Sequence, residues 1–224
     1  MNIPSSPSYW QDAITELSQA DNLMGKIIAR YPGEAMQSKD DAFHTLMRSI
    51  TGQQISVKAA DAIWGRLAGQ ISGCRIQGSG GKVADISTLN PESCILISDE
   101  TLRTIGYSRQ KISYIRSLCE YFATRQHLER DWAAMSDEEA IKDLTQIRGI
   151  GRWTAEMFLM FHLLRPNILP LDDIGLLNAI DHHYPAKEKR KKADYRAFAE
   201  KWQPWRSVAT WYLWRTYDDE PVEY

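Results

Sequence analysis

Apolar residues recur along this chain at the three-to-four-residue spacing of helices, not the alternation of strands. Phe43, Leu46, Met47 and Ile50 stand at i, i+3, i+4 and i+7. Ser56 is placed to cap a following helix whose inward stripe would be Val57, Ala60, Ile63, Trp64 and Leu67. The glycine- and serine-rich stretch from Gly73 to Lys82 reads as a loop. Asn90-Pro91 is a cap followed by proline at the first helical position. Ser108 opens a helix carrying Ile112, Ile115, Cys119 and Phe122 inward, and Ser136 to Glu139 form a capping box for a helix through Leu144. Ile174, Leu177 and Ile180 mark another apolar face, and Pro204 introduces a last helix from Trp205 to Arg215. No alternating pattern persists beyond a few residues. The expectation is an all-α fold of roughly ten helices in two helical lobes with a cleft between them.

Composition narrows the class. The 224 residues are 43% hydrophobic and 25% charged, as in globular proteins. The longest apolar run, near Met157 to Leu164, is too short to span a bilayer, and the N-terminus lacks the pattern of a secretory signal. Cys74, Cys94 and Cys119 make neither a disulfide framework nor a four-cysteine iron–sulfur site. A cytoplasmic monomer with reduced thiols is expected, bacterial and nucleoid-associated or eukaryotic and nuclear. The net charge of -2 weighs against nucleic acid. Its distribution softens that objection. Arg103, Arg109, Lys111 and Arg116 lie in a stretch without acids, a second basic cluster runs Lys187 to Lys192, and acids gather at Asp218, Asp219, Glu220 and Glu223. Such runs are also what solvated helix faces look like.

Ile147-Arg148-Gly149-Ile150-Gly151 separates two amphipathic helical patterns, the second beginning near Arg152 and burying Trp153, Met157, Phe161 and Leu164. Two glycines two apart permit a sharp turn with positive φ and bare backbone N–H groups at a helix start, a donor site for a phosphate oxygen. Alone, such a turn also serves as a plain helix–helix connection. Twenty residues past Trp153 stands Asp173, in Leu171-Asp172-Asp173-Ile174-Gly175. An aspartate there is also a common helix cap.

Taken together, LTQIRGIGRWTAEMF (Leu144 to Phe158), LPLDDIGL (Leu169 to Leu176), RSITGQQISVKAA (Arg48 to Ala60), GYSRQKISYIRSL (Gly106 to Leu118) and WQPWRSVATWYLWR (Trp202 to Arg215) resemble the helix-hairpin-helix DNA glycosylases, alkyl-base branch. The resemblance covers about Phe43 to Asp218. It implies one glycosylase unit over 1–224, with the hairpin motif near 140–164 and without the N-terminal β domain of some members. It implies hydrolysis of alkylated purines from double-stranded DNA, no membrane partner, and neither a cofactor nor an iron–sulfur cluster.

By the same resemblance Asp173 is the catalytic carboxylate and Asp172 a helper or N-cap. Trp153, Trp214 and the neighbouring Met157 form the base pocket. Gly149 and Gly151 bind DNA backbone, with a monovalent cation conceivable at the carbonyls of Ile147 and Gly149. Gln53, Gln54 and Ile55 form the loop that enters the duplex, where Gln54 occupies the wedge position and Ile55 is the apolar alternative. Ser108 and Lys111 add phosphate contacts. Bifunctional relatives carry a lysine where this chain has Trp153, so strand cleavage is not expected. A DNA-binding module without chemistry would keep the Gly149–Gly151 turn but has no reason to combine Asp173 with Trp153.

Overall fold

The computed structural model describes residues 7–38, 41–71, 89–125 and 128–217, with the side chain of Glu129 excepted. The loop expected at Gly73 to Lys82, Cys74 and the acidic C-terminal cluster lie outside them. In chain order the described residues form α1 (Trp10–Ala20), α2 (Asn22–Ile28), α3 (Ala42–Gly52), α4 (Val57–Ile71), α5 (Pro91–Ile95), α6 (Asp99–Ile105), α7 (Arg109–Ala123), α8 (Leu128–Ala134), α9 (Asp137–Leu144), α10 (Arg152–Phe161), α11 (Ile174–His183), α12 (Lys192–Phe198) and α13 (Arg206–Arg215). A 3-10 turn, Ala199–Trp202, follows α12. The fold is all-α, with more helices than the roughly ten expected, because several span only five to seven residues.

The chain divides into two compact units. One comprises the described residues of 1–39 and 153–224, the other those of 40–152. The second unit contains α3 to α9. Its helix starts are written in the sequence. The Asn90 side chain accepts from the Ser93 N–H and the Ser136 side chain from the Glu139 N–H, both as capping boxes, and Ser108 accepts from the Lys111 N–H. Phe43, Leu46, Met47 and Ile50 of α3 are buried, as are Ile112, Ile115, Leu118 and Cys119 of α7. Phe122 is only half-buried, and Leu118 takes the inward place. On α4, Ala60, Ile63 and Leu67 are buried, whereas Val57 is 77% exposed. Trp64 is half-buried beside the Arg48 guanidinium, which lies 5.6 Å from its ring centroid. Within this unit Trp132 donates to Asp143 at 3.0 Å, and Arg125 completes the pair at 2.6 Å.

The first unit joins an N-terminal and a C-terminal segment of the described residues. It packs α1 and α2 with α10 through α13, apart from Arg152, which falls with the other unit. Trp10, Leu17, Met24, Phe158, Leu176, Ile180, Trp202 and Trp211 are buried in it. Asp21 caps α2 through the Leu23 and Met24 N–H groups. Its other oxygen collects the Tyr184 hydroxyl at 2.8 Å, the Trp202 indole at 3.1 Å and the Lys201 ammonium at 2.8 Å. That carboxylate therefore ties two distant segments, at Tyr184 and at Lys201-Trp202, to the start of α2.

Candidate active site

The acidic motif ends at a helix start. Asp173 is extended (φ -85°, ψ 108°) and caps α11, its Oδ1 accepting from the Leu176 N–H at 2.6 Å. The same oxygen accepts from the Trp214 indole N–H at 3.0 Å, and Oδ2 accepts from the Trp153 indole N–H at 2.9 Å. Three donors and the positive end of a helix thus converge on one carboxylate. The N-cap role expected for Asp172 falls to Asp173, because the cap must lie immediately before the first helical residue. Asp172 is exposed and pairs with Lys192.

The tryptophans differ from simple pocket walls. Trp153 is half-buried at the start of α10. Trp214 is buried and lies 6.1 Å from Phe161, centroid to centroid and nearly parallel. Phe161 is a stacking partner that the sequence reading counted only as core. Met157 is buried on α10 between the two turns that carry Trp153 and Phe161. Ile174, expected on the apolar face of α11, is instead 73% exposed directly beside Asp173, and the buried face is Leu176, Ala179 and Ile180.

In the second unit, α9 leads into the hairpin at Thr145–Gly151. Ile147 and Ile150 are buried and anchor it. Gly149 has φ +90°, and a Cβ there would stand 2.3 Å from the Tyr114 ring. Gly151 does not share the positive φ expected of it, and a Cβ there meets nothing within 4 Å. Among the described residues neither glycine N–H has a protein acceptor, which leaves both for an external anion. The candidate cation carbonyls are already engaged. Ile147 accepts from the Ile150 N–H at 3.0 Å and Gly149 from Gln53 Nε2 at 2.9 Å. Each carbonyl keeps a second lone pair.

The residues expected on DNA sort into two groups. Gln54 and Ile55 are exposed in the loop between α3 and α4, with Gln54 at φ +60°, and the exposed Val57 extends this tip with apolar surface. Gln53, Ser108 and Lys111 each also make a hydrogen bond within the protein: Gln53 donates to the Gly149 carbonyl, while the Ser108 hydroxyl and the Lys111 ammonium keep donors to spare. Ser108 caps α7, and the Lys111 ammonium donates to the Thr51 carbonyl at 2.7 Å, its pKa lowered by burial. Of the nine basic residues in the two clusters, three have a carboxylate partner among the described residues: Arg116 pairs with Asp99, Arg190 with Asp181 and Lys192 with Asp172. Cys94 and Cys119 are buried free thiols. Among the described residues no cluster of three or more His, Cys, Asp or Glu is arranged to hold a metal ion, and no helix is long and apolar enough to cross a membrane.

Residues 47–204, which include both the hairpin and Asp173, match the family described as HhH-GPD superfamily base excision DNA repair protein. The chain belongs to this superfamily. Among curated HhH-GPD relatives, DNA-3-methyladenine glycosylase 1 of Schizosaccharomyces pombe is 30% identical over 92% of this chain and 90% of its own. Among solved structures, a DNA-3-methyladenine glycosidase from Bacillus halodurans superposes with a TM-score of 0.77 at 32% identity, covering 92% of this chain and 89% of the other. The S. pombe 3-methyladenine DNA glycosylase in complex with abasic DNA superposes at 0.71 with 29% identity, covering 95% and 100%.

Proposed function

We propose that this HhH-GPD protein is a DNA glycosylase of base excision repair. It flips an alkylated purine of the 3-methyladenine or 7-methylguanine type out of double-stranded DNA and hydrolyses its N-glycosidic bond. The observation that carries the reading is the Asp173 carboxylate, fixed at the start of α11 by two indole N–H groups and a backbone amide. The names of the relatives point to the same substrate class.

The chemistry follows from that group. Breaking a purine–sugar bond builds positive charge on the sugar. A carboxylate at about 4 Å, with an effective dielectric near 20, attracts such a charge by roughly 4 kcal/mol, on the order of a thousandfold in rate. Asp173 can also orient or deprotonate the attacking water. An alkylated purine is already cationic and leaves as a neutral base, so no second acid is required and no cofactor need assist. Its cationic ring is attracted to the π faces of Trp153 and Trp214.

The reading extends to a hydrolase without lyase activity. Trp153 stands where bifunctional relatives carry a lysine, and its indole serves Asp173 rather than attacking the sugar. The protein acts as a monomer on duplex DNA, in the cytoplasm of a bacterium or the nucleus of a eukaryote.

The test is incubation with methylated duplex DNA and chromatography of the released bases. Release of 3-methyladenine and 7-methylguanine with the strand intact is expected, and no release would refute the enzyme reading. Borohydride should trap no protein–DNA adduct. A trapped adduct, for instance at Lys192 beside Asp172, would refute the hydrolysis-only assignment.

A further inference from the structure

The loop between α3 and α4 holds Gln54 at φ +60°, a backbone region that residues with a Cβ rarely adopt and that surrounding contacts must maintain. Those contacts come from within the second unit. Lys111 Nζ ties down the Thr51 carbonyl on one side of the loop. Gln53 Nε2 reaches 96 residues along the sequence to the Gly149 carbonyl, in the hairpin itself. The hairpin is held in turn. The Tyr114 ring fills the space above Gly149, and the Arg148 N–H donates to Ser117 Oγ at 3.0 Å. Lys111, Tyr114 and Ser117 lie three residues apart along α7, so one side of one helix grips both the loop and the hairpin. Gln53 makes the direct tie between them.

We propose that Gln53 is a positioning residue that couples the hairpin to the Gln54 loop. When the hairpin amides seat on the DNA backbone, the Gln53–Gly149 bond sets the height and register at which Gln54 enters the duplex. Backbone binding is then converted into insertion instead of being lost in bending the loop. The inference rests on the glycosylase reading, and specifically on Gln54 acting during base flipping. It assigns Gln53 a role in flipping and none in backbone affinity, because its amide is spent on Gly149 and not on phosphate.

The experiment is a double-mutant cycle with Gln53→Glu and Gln54→Ala on the full chain. Glutamate keeps the shape of Gln53 but cannot donate to a carbonyl at neutral pH. Gln53→Ala repeats the measurement without the added charge. Thermal stability, affinity for undamaged duplex and single-turnover excision are measured for each protein. Loss of one such hydrogen bond predicts excision lower by about tenfold, with affinity held within about twofold. Adding Gln53→Glu to Gln54→Ala should cost nothing further, since a residue acting through Gln54 has nothing left to position. Multiplicative losses would overturn the coupling, as would a loss of affinity that tracks a loss of stability. A Gln54→Ala protein with unchanged excision would remove the flipping role and the coupling with it. Absence of excision by the unmutated protein would instead sink the glycosylase reading itself.

Discussion

Asp173 caps α11 and, in the proposed function, supplies the catalytic charge, two duties that substitution can separate. Asparagine caps helices about as well as aspartate, so Asp173→Asn should keep α11 through its Oδ1 and lose only the Trp153 bond, which an Nδ2 cannot accept. It should nonetheless lose single-turnover excision by a hundredfold or more, given that a well-placed electrostatic group is worth about 10²–10³ in rate. Asp173→Ala should lose both rate and about 1 kcal/mol of stability. An Asp173→Asn protein with normal excision would show that the charge is not used. The indoles can be dissected in the same way. Trp153→Phe and Trp214→Phe keep an aromatic face and remove the N–H, so each should slow excision by roughly tenfold while leaving lesion-duplex affinity nearly unchanged, a hydrogen bond to a charged group being worth about 1.5–3 kcal/mol. If Trp214→Phe weakens affinity as much as rate, the ring face matters more than the donor. Indole-to-carboxylate bonds recur here. Trp132 donates to Asp143, Trp202 to Asp21 and Trp205 to Glu16, so five of the eight tryptophans anchor acids. Nothing in sequence spacing announces this, because the partners lie from 11 to 189 residues apart.

At the scale of elements, the hairpin separates its two glycines. Gly149→Ala meets both the Tyr114 ring and a φ of +90°, and should lower thermal stability along with DNA binding. Gly151→Ala has open space and ordinary φ, so melting should be unchanged and any effect confined to duplex affinity. Differential scanning fluorimetry and fluorescence anisotropy distinguish the two outcomes; equal destabilisation by both would contradict this account of the turn. The sequence pattern alone treated the two glycines alike, since a GxG spacing carries no record of which residue Tyr114 covers. Elsewhere local signals were dependable. The caps at Asn90, Ser108 and Ser136 are decided by residues three apart and appear as expected. Periodicity misplaced Val57 and Ile174, both in the first turn of a helix, where side chains can escape the stripe that the rest of the helix buries. The bond from Lys111 to the Thr51 carbonyl is not legible in the sequence, because its partner lies 60 residues away.

For the whole molecule, Asp21 supplies a pH dependence that can be read in advance. Burial alone would raise its pKa, but the Lys201 ammonium, the Trp202 indole, the Met24 amide and the Tyr184 hydroxyl outweigh burial and push it down to about 2. A carboxylate depressed in the folded state stabilises it at pH values above the unfolded pKa, near 3.9. That contribution disappears as pH falls from there through about 2. Asp21→Asn should therefore destabilise by about 1–3 kcal/mol at pH 7 in urea titrations. The gap from the unmutated protein should close as pH falls from about 4 towards 2. A gap that stays constant over that range would show that Asp21 contributes packing and not charge. The joining of residues 1–39 with 153–224 in one unit was not legible from the chain, because it depends on which helices meet and not on how each begins or ends.

A carboxylate offers about four lone-pair directions. At Asp173 three are taken, among the described residues, by the donors already described. One is left. A single external donor, such as the attacking water, can therefore hydrogen-bond to Asp173 at a time, and the vacancy lies on Oδ2, the oxygen that holds only the Trp153 indole.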